Sequence, residues 1–219
     1  MRSAFAPIAH ARVTPKPTSR LRKPLKKTLP EALERIQNQH PDASVEVWAE
    51  DEHRIGLKPI LRRVWCKKGQ RPIVTVQHRY KWAYLYGFVS PQSGETFWLV
   101  LPRVNLEVWN VVLAEFAAAV GASANKRVVL VIDQAGWHSS KQVQLPEGID
   151  VVFLPAYSPE LQPAERLWSL SNEALVNKHF ADLEELIEAQ AERCRQLCER
   201  PETIRAHTQF HWWPETSIL

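Results

Sequence analysis

Hydrophobic and polar residues alternate along residues 44–52, SVEVWAEDE. A period of two is typical of a β-strand with one buried face. The alternation places Asp51 on the same face as the valines of this segment and places Glu50 and Glu52 on the opposite face. It therefore distinguishes Asp51 from the two acidic residues beside it.

Further strands are predicted in the first half of the chain, and together they indicate an antiparallel meander. The segment SPQSG has the composition of a hairpin turn between the last two of them. These predicted strands lie near residues 64–67, 73–79, 82–89 and 95–101.

The second half predicts an alternation of helices and buried strands. Residues 106–120 have helical periodicity, with Asn105 as the N-cap and Gly121 as the closing residue. The near-continuous apolar run RVVLVID, residues 127–133, predicts a central strand that is buried on both faces. The remaining predictions are a short strand at 151–154 and helices at 163–179 and 182–199.

The first 30 residues differ from the rest in charge and in proline content. They contain eight basic residues, no acidic residue and five prolines, whereas the whole chain has a net charge of +4. Because proline fixes φ and lacks the backbone N–H donor, we expect these residues to form an extended arm. A short helix is expected to follow near 31–39. A basic block beside an acidic body favours nucleic acid as partner, and a solvated linker is the alternative. The candidate DNA-binding residues in this arm are Arg20, Arg22, Lys23, Lys26 and Lys27.

The composition also restricts the class of protein. No apolar run is long enough for a transmembrane helix, and no secretory signal is recognisable. Three cysteines, an odd and sparse count, suit a reducing cytosol better than a disulfide scaffold. The paired spacing of Cys194, Cys198, His207 and His211 suggests zinc, although the middle spacer is short for a zinc finger. The alternative is two thiols on a helix face followed by a loose C-terminal tail.

Three carboxylates have positions that suit a metal site. Asp51 is expected at the end of the first strand and Asp133 at the end of the central strand, where functional groups of α/β sheets collect. Glu165 follows a proline-rich loop at the start of a predicted helix. Taken singly, Asp51 is equally well explained as a surface carboxylate, and Glu165 is better explained as an acid that stabilises a helix N-terminus. For Asp133 the functional interpretation is stronger, because an acid at the end of an apolar run is unusual without a partner. Together the three form an oxygen-rich set that suits Mg²⁺ or Mn²⁺.

Three motifs resemble those of a known family. VWAEDEHRIGL, VLVIDQAGWHSS and LPAYSPELQPAERLW resemble, in order, the catalytic motifs of DDE transposases of the mariner-like bacterial insertion-sequence superfamily. The stretch VWCKKGQRP is similar to the same family, and the resemblance covers about residues 20–200. Gln134 and Gln162 stand where the family often has asparagine.

The resemblance implies a fold, a site and a reaction. The fold is α/β and ribonuclease H-like, a mixed sheet with an antiparallel meander and flanking helices. Asp51, Asp133 and Glu165 would be the catalytic and metal-binding residues. They would hold two Mg²⁺ ions, or Mn²⁺ in their place, about 3.5–4 Å apart, for cleavage and transfer of DNA strands in transposition. The resemblance to bacterial elements also implies a cytoplasmic location, in association with the nucleoid. Independently of the resemblance, His138 lies five residues after Asp133 and is expected either to contact DNA or the scissile phosphate, or to make a structural hydrogen bond.

The chain is expected to consist of three parts and to lack a DNA-recognition module. Residues 1–43 are the basic arm with its short helix, 44–200 the catalytic domain and 201–219 a tail. Family members carry N-terminal helix-turn-helix modules, for which this chain has no room, so another reading frame is expected to supply them. The expected partners are DNA, both element ends and target, and a second copy in a homodimer. The alternative is a catalytically silent, truncated transposase that binds DNA or intact transposase as a regulator or relic.

Overall fold

A mixed sheet of five strands lies at the centre of the computed structural model, which describes residues 22–69, 73, 75 and 79–214. The strand order is β3-β2-β1-β4-β5. The pairs β1–β2 and β2–β3 are antiparallel, and the pairs β1–β4 and β4–β5 are parallel. The predicted meander is therefore confirmed and continues into a parallel half. The strands are β1 (Ser44–Gly56), β2 (Trp82–Val89), β3 (Thr96–Leu101), β4 (Lys126–Ile132) and β5 (Ile149–Phe153).

Helices cover both faces of this sheet and enclose two hydrophobic cores. Val47 and Val129 enter one core, together with the apolar sides of α1, α3, α4 and α5 as defined below. Trp48 and Leu130 enter the other core, which is closed by α2. The helices are α1 (Arg22–Gln39), α2 (Leu106–Val120), α3 (Leu167–Ser171), α4 (Leu183–Cys198) and α5 (Pro201–Thr208), and 3₁₀ turns span Pro159–Leu161, Ala164–Arg166 and Asn172–Ala174.

The local signals for α2 and β4 are confirmed. The side chain of Asn105 accepts a hydrogen bond from the amide of Val108 at 2.9 Å, and Gly121 ends the helix with a φ of 69°. Glycine adopts this left-handed conformation without a steric cost. The strand β4 contributes alternate residues to both cores, as its near-continuous apolar sequence predicts.

Two strand predictions after β1 have different outcomes. The strand predicted at residues 64–67 is wrong, because this segment has no regular structure and Trp65 is fully exposed. A strand requires a neighbour to pair with, and β1 already pairs with β2 and β4. Most of the strand predicted at 73–79 lies outside the described residues.

Two helix predictions need correction. The first helix begins at Arg22 rather than near residue 31, because Pro24 lies in the first turn, where backbone N–H groups have no intrahelical partner. Pro30 lies inside this helix. The helix predicted at 163–179 is broken into α3 and two 3₁₀ turns, and Asn177 has a φ of 55° that no α-helix accommodates.

The chain after residue 200 is also more ordered than a loose tail. It forms α5, and Ile204 and Trp213 are buried in the same core as α4. Residues 215–219 lie outside the described residues. None of the helices in the described part of the chain is long and apolar enough to cross a membrane.

Candidate active site

The three acids predicted from the sequence line one cleft of about 390 Å³. Asp51 is not at the end of β1, as predicted, because β1 continues to Gly56. Its parallel pairing with β4, however, stops at Ala49. Asp51 therefore lies just beyond the part of β1 that β4 covers, and Asp133 directly follows the last residue of β4. Glu165 reaches the cleft from the 3₁₀ turn before α3, not from the first turn of an α-helix.

Asp51 is held by the indole of Trp168, a contact that the sequence did not predict. Trp168 Nε1 donates a hydrogen bond to Asp51 Oδ2 at 3.1 Å. Trp168 stacks on His53, with ring centroids 4.9 Å apart. Gly87 pairs with Asp51 across β1 and β2, and a Cβ at Gly87 would lie 2.8 Å from the Trp168 ring. A residue without a side chain is therefore needed for the indole to reach the carboxylate.

Burial and neighbouring negative charges raise the pKa of two acids of the cleft, Asp51 and Glu165. Burial, followed by the negative charges of Glu165 and Glu52, raises the pKa of Asp51 to about 8. Burial and the charge of Asp133 raise the pKa of Glu165. The Asp51 and Glu165 carboxyl groups thus share a region of negative potential, which favours a cation.

Asp133 is more exposed and has donors of its own. Its Oδ1 lies 2.8 Å from His138 Nδ1 and accepts a hydrogen bond from the amide of Ala135 at 2.9 Å. The hydrogen bond with His138 lowers the pKa of Asp133 and outweighs the opposite effect of burial. Both contacts are made to Oδ1, which leaves Oδ2 for a cation.

His138 is buried and lies beneath the cleft. Only 1% of its side chain is exposed, and its Nε2 lies 3.2 Å from Glu52 Oε1. Burial opposes the charged imidazolium, but the hydrogen bonds with Asp133 and Glu52 raise the pKa of His138 to about 9. The prediction of a direct DNA contact is contradicted by this burial, and the second role considered for His138, a structural hydrogen bond, agrees with the geometry. The contribution of Glu52 was missed, although the strand alternation had already placed it on this face.

The two glutamines that replace the family's asparagines both bind backbone. Gln134 Nε2 donates to the carbonyl of Leu154 at 2.8 Å, and Gln162 Nε2 donates to the carbonyl of Glu50 at 2.7 Å. These bonds connect the loops around the cleft to β5 and β1. At the cleft wall, Tyr157 is almost fully exposed and has a φ of 58°, a strained conformation for a residue with a side chain.

The remaining predicted site residues are the basic residues of the arm and the four predicted zinc ligands. Arg20 lies outside the described residues, as do the side chains of the other basic residues predicted to bind DNA. The zinc interpretation is wrong: Cys194 contacts Gln190, Cys198 contacts Thr96, and His207 contacts Ser169. One group of metal-binding side chains in the described part of the chain has its donor atoms within 4.8 Å of one another, and it consists of Glu50, Glu52 and His138.

The comparison with known proteins decides the family. Residues 46–187, well over half of the chain, match the model of the family described as DDE superfamily endonuclease. The chain belongs to this family. An uncharacterized protein of Sinorhizobium fredii, y4pE/y4sA, is 34% identical to this DDE endonuclease domain over 132 residues, which are 60% of this chain and 96% of the relative.

Other relatives agree with the predicted insertion-sequence type. The 39 kDa protein of the insertion element IS630 of Shigella sonnei is 26% identical over 171 residues, 74% of this chain. The DDE endonuclease domain spans about half of that protein, 48% of its length. The resemblance to mariner-like insertion-sequence transposases is thereby confirmed.

Solved structures confirm the fold. The catalytic domain of Mos1 mariner transposase is similar with a TM-score of 0.51 and 18% identity, over 91% of this chain and all of that one. The mariner Mos1 paired end complex with Mg gives a TM-score of 0.54 and 20% identity, over 94% of this chain and 68% of that one. The predicted ribonuclease H-like α/β fold of the DDE endonuclease domain is confirmed.

Proposed function

We propose that this domain cleaves DNA strands and transfers them in transposition, with Asp51, Asp133 and Glu165 as its catalytic and metal-binding residues. One observation carries the proposal: three acids from distant parts of the chain line a single open cleft. The membership of the chain in the DDE superfamily endonucleases supports the same reaction class.

The donor set of this cleft fits a hard divalent cation such as Mg²⁺ or Mn²⁺. All three side chains offer carboxylate oxygens, the ligands that these ions prefer. The pKa of Asp51, about 8, would leave much of this carboxyl protonated at neutral pH. A nearby cation favours the ionised form, which is the form that binds metal. Two of the similar structures are Mos1 complexes named with Mg and with Mn.

The protein's part in the reaction is to hold ligands and orient them. Trp168 fixes one oxygen of Asp51, and the His138 and Ala135 contacts fix one oxygen of Asp133. When bound, two such ions would activate the attacking water or 3′-hydroxyl and stabilise the leaving oxygen of an in-line displacement. These hydrogen bonds orient two of the three carboxylates in advance, and preorganisation of this kind lowers the free energy of activation.

The proposed substrate is DNA at the ends of an element and at its target. Structures of similar fold include a Mos1 strand transfer complex and a Mos1 paired-end complex with a transposon end. A homodimer and a helix-turn-helix module from another reading frame remain predictions. So does the contact of the basic arm with DNA phosphates, which would bind DNA without selecting its sequence.

The test is strand cleavage of a plasmid that carries the DNA flanking the chain's own gene. The purified chain should nick this plasmid with Mn²⁺ or Mg²⁺, and Asp133→Asn should reduce the rate at least about 100-fold, since the cations lose a ligand. Asp42→Asn, an exposed acid away from the cleft, is the matched control. If Asp133→Asn cut as fast as the parent, Asp133 would not be a metal ligand. A folded parent that binds metal and flanking DNA without cutting would favour the silent regulator instead.

A further inference from the structure

Glu50, Glu52 and His138 converge on the face of β1 opposite to Asp51. Their donor atoms lie within 4.8 Å of one another. His138 Nε2 lies 3.2 Å from Glu52 Oε1 and 3.7 Å from Glu50 Oε2. Tetrahedral zinc with bonds of about 2.0–2.1 Å keeps neighbouring donor atoms roughly 3.3–3.4 Å apart. The two observed separations lie on either side of that value.

Glu50 adds an independent observation. Its side chain is completely buried, and neither carboxylate oxygen has a hydrogen-bond partner among the described residues. A buried carboxylate without a hydrogen bond is unfavourable, and buried charges in proteins are ordinarily paired or bound to metal. His138 Nε2, at 3.7 Å from Glu50 Oε2, is too distant for a hydrogen bond. Both oxygens of Glu50 are therefore available, so that this residue can supply two donor atoms.

The surroundings of His138 and Glu52 match the outer shell of a metal site. A metal-binding histidine typically donates its second ring N–H to a carboxylate, which fixes the tautomer and the ring orientation. His138 Nδ1 lies 2.8 Å from Asp133 Oδ1, so Nε2 is the nitrogen that faces the glutamates. Trp137 Nε1 donates to Glu52 Oε1 at 2.8 Å and also lies 3.1 Å from His138 Nε2.

We propose that Glu50, Glu52 and His138 bind one divalent ion of the zinc class in a closed structural site beneath the catalytic acids. The imidazole nitrogen favours zinc over Mg²⁺, which prefers an all-oxygen set. Glu50 binding through both oxygens would complete four donor atoms, in a geometry that the short span of the carboxylate distorts from tetrahedral. The ion offsets the charge of two buried carboxylates and holds His138 against Asp133, so the site supports the cleft without taking part in the reaction.

The experiment distinguishes this site from the cleft by first removing two of the three cleft carboxylates; the resulting variant is called the silenced chain. In the Asp51→Asn/Glu165→Gln chain, metals are stripped with a chelator, and zinc is then titrated by calorimetry and counted by native mass spectrometry. We expect one equivalent of zinc, with nitrogen and oxygen donors at about 2.0–2.1 Å in X-ray absorption. In this background, Glu50→Gln should weaken zinc binding more than 100-fold. Asp133→Asn, which removes the carboxylate that contacts His138 and also the last acid of the cleft, should weaken it about 10- to 100-fold.

Glu46→Gln is the matched control, because Glu46 lies on the same face of the same strand and pairs with Lys126 instead. It should leave the zinc affinity unchanged. The proposal is overturned if the silenced chain binds no zinc, or if Glu50→Gln binds it as tightly as the silenced parent. The stoichiometry of the silenced parent decides the matter even if Glu50→Gln does not fold. Because this chain lacks two acids of the cleft, its failure to bind zinc would leave the proposed DNA cleavage untouched.

Discussion

Asp51 and Glu50 are neighbours in β1, but they face opposite sides of the sheet and meet opposite surroundings. Asp51 borders an open cleft and accepts a hydrogen bond from Trp168. Glu50 is fully buried, without a hydrogen-bond partner in the described part of the chain. Burial raises the pKa of both carboxyl groups. Burial therefore has different consequences on the two faces. Asp51, at the open cleft, can release its proton and bind a cation from solvent, whereas Glu50, on the closed face, requires a partner that is bound permanently.

The largest expected effect comes from removing charge on the open face. Asp51→Asn should lower the rate of DNA cleavage at least about 100-fold, because it removes a ligand of the proposed cations. It should also raise the melting temperature of the metal-free chain, because a carboxyl group that burial and neighbouring negative charges destabilise is lost. Plasmid nicking and thermal denaturation measure the two effects. Equal cleavage by Asp51→Asn and the parent would exclude Asp51 from the site, and Glu46→Gln, on the closed face, serves as the control.

The free energy of unfolding should depend on pH in a way that reports the raised pKa of Asp51 on the open face. For Asp51 the folded pKa of about 8 exceeds the ordinary value of 3.8, so the folded chain binds the extra proton in this interval. Raising the pH from about 4 to 8 should therefore lower the free energy of unfolding of the metal-free chain. The raised pKa values of Glu165 and His138 act in the same direction, and His138 extends the loss toward pH 9.

Chemical denaturation across this pH range, with chelator present, measures the slope. Asp51→Asn should make it shallower, and Asp42→Asn should leave it unchanged. A parent chain whose stability rises steadily from pH 4 to 8 would contradict the raised pKa of Asp51. Added Mg²⁺ should oppose the decline if it binds the ionised cleft.

The sequence allowed the two faces of β1 to be predicted, but not what they contact. Period-two alternation separated Asp51 from Glu50 and Glu52, because side-chain direction in a strand is a local property. The partners come from far along the chain: Trp168 is 117 residues from Asp51, and His138 is 86 from Glu52. Local periodicity carries no information about such pairs, so the sequence did not predict the contact between Trp168 and Asp51.

Errors in the predicted elements have similar physical causes. Residues 64–67 have strand-like composition, yet a strand forms only beside a partner. The helix predicted from residue 163 keeps its apolar spacing but is broken by 3₁₀ turns and by the left-handed backbone of Asn177. Asp133 and Glu165 nevertheless line the cleft. The apolar run before Asp133 already indicated that residue, whereas Glu165 was predicted chiefly from the family resemblance, which encodes tertiary positions that periodicity does not. Their catalytic role stays a prediction.

A smaller effect is expected from narrowing the space beside Asp51. In Gly87→Ala the new Cβ would lie 2.8 Å from the Trp168 ring, so the indole or the strand must shift. Overpacking of this kind typically costs about 1–3 kcal/mol of stability. Urea denaturation should show a lower midpoint with an unchanged slope. Gly136→Ala is a suitable control, because a Cβ there meets nothing within 4 Å, and equal stability of both variants would show that the indole has room to move.

The smallest expected change tests the single hydrogen bond that distinguishes Asp51 from Glu50. Trp168→Phe keeps an aromatic ring in the core but removes the N–H that donates to Asp51 Oδ2. Since this hydrogen bond lowers the pKa of Asp51 against the effect of burial, its loss should raise that pKa further and weaken metal binding about tenfold at neutral pH. Calorimetric titration of Mn²⁺ at two pH values measures the change. The difference between variant and parent should narrow at higher pH, where Asp51 is ionised in both, and a deficit that is independent of pH would instead indicate a packing defect.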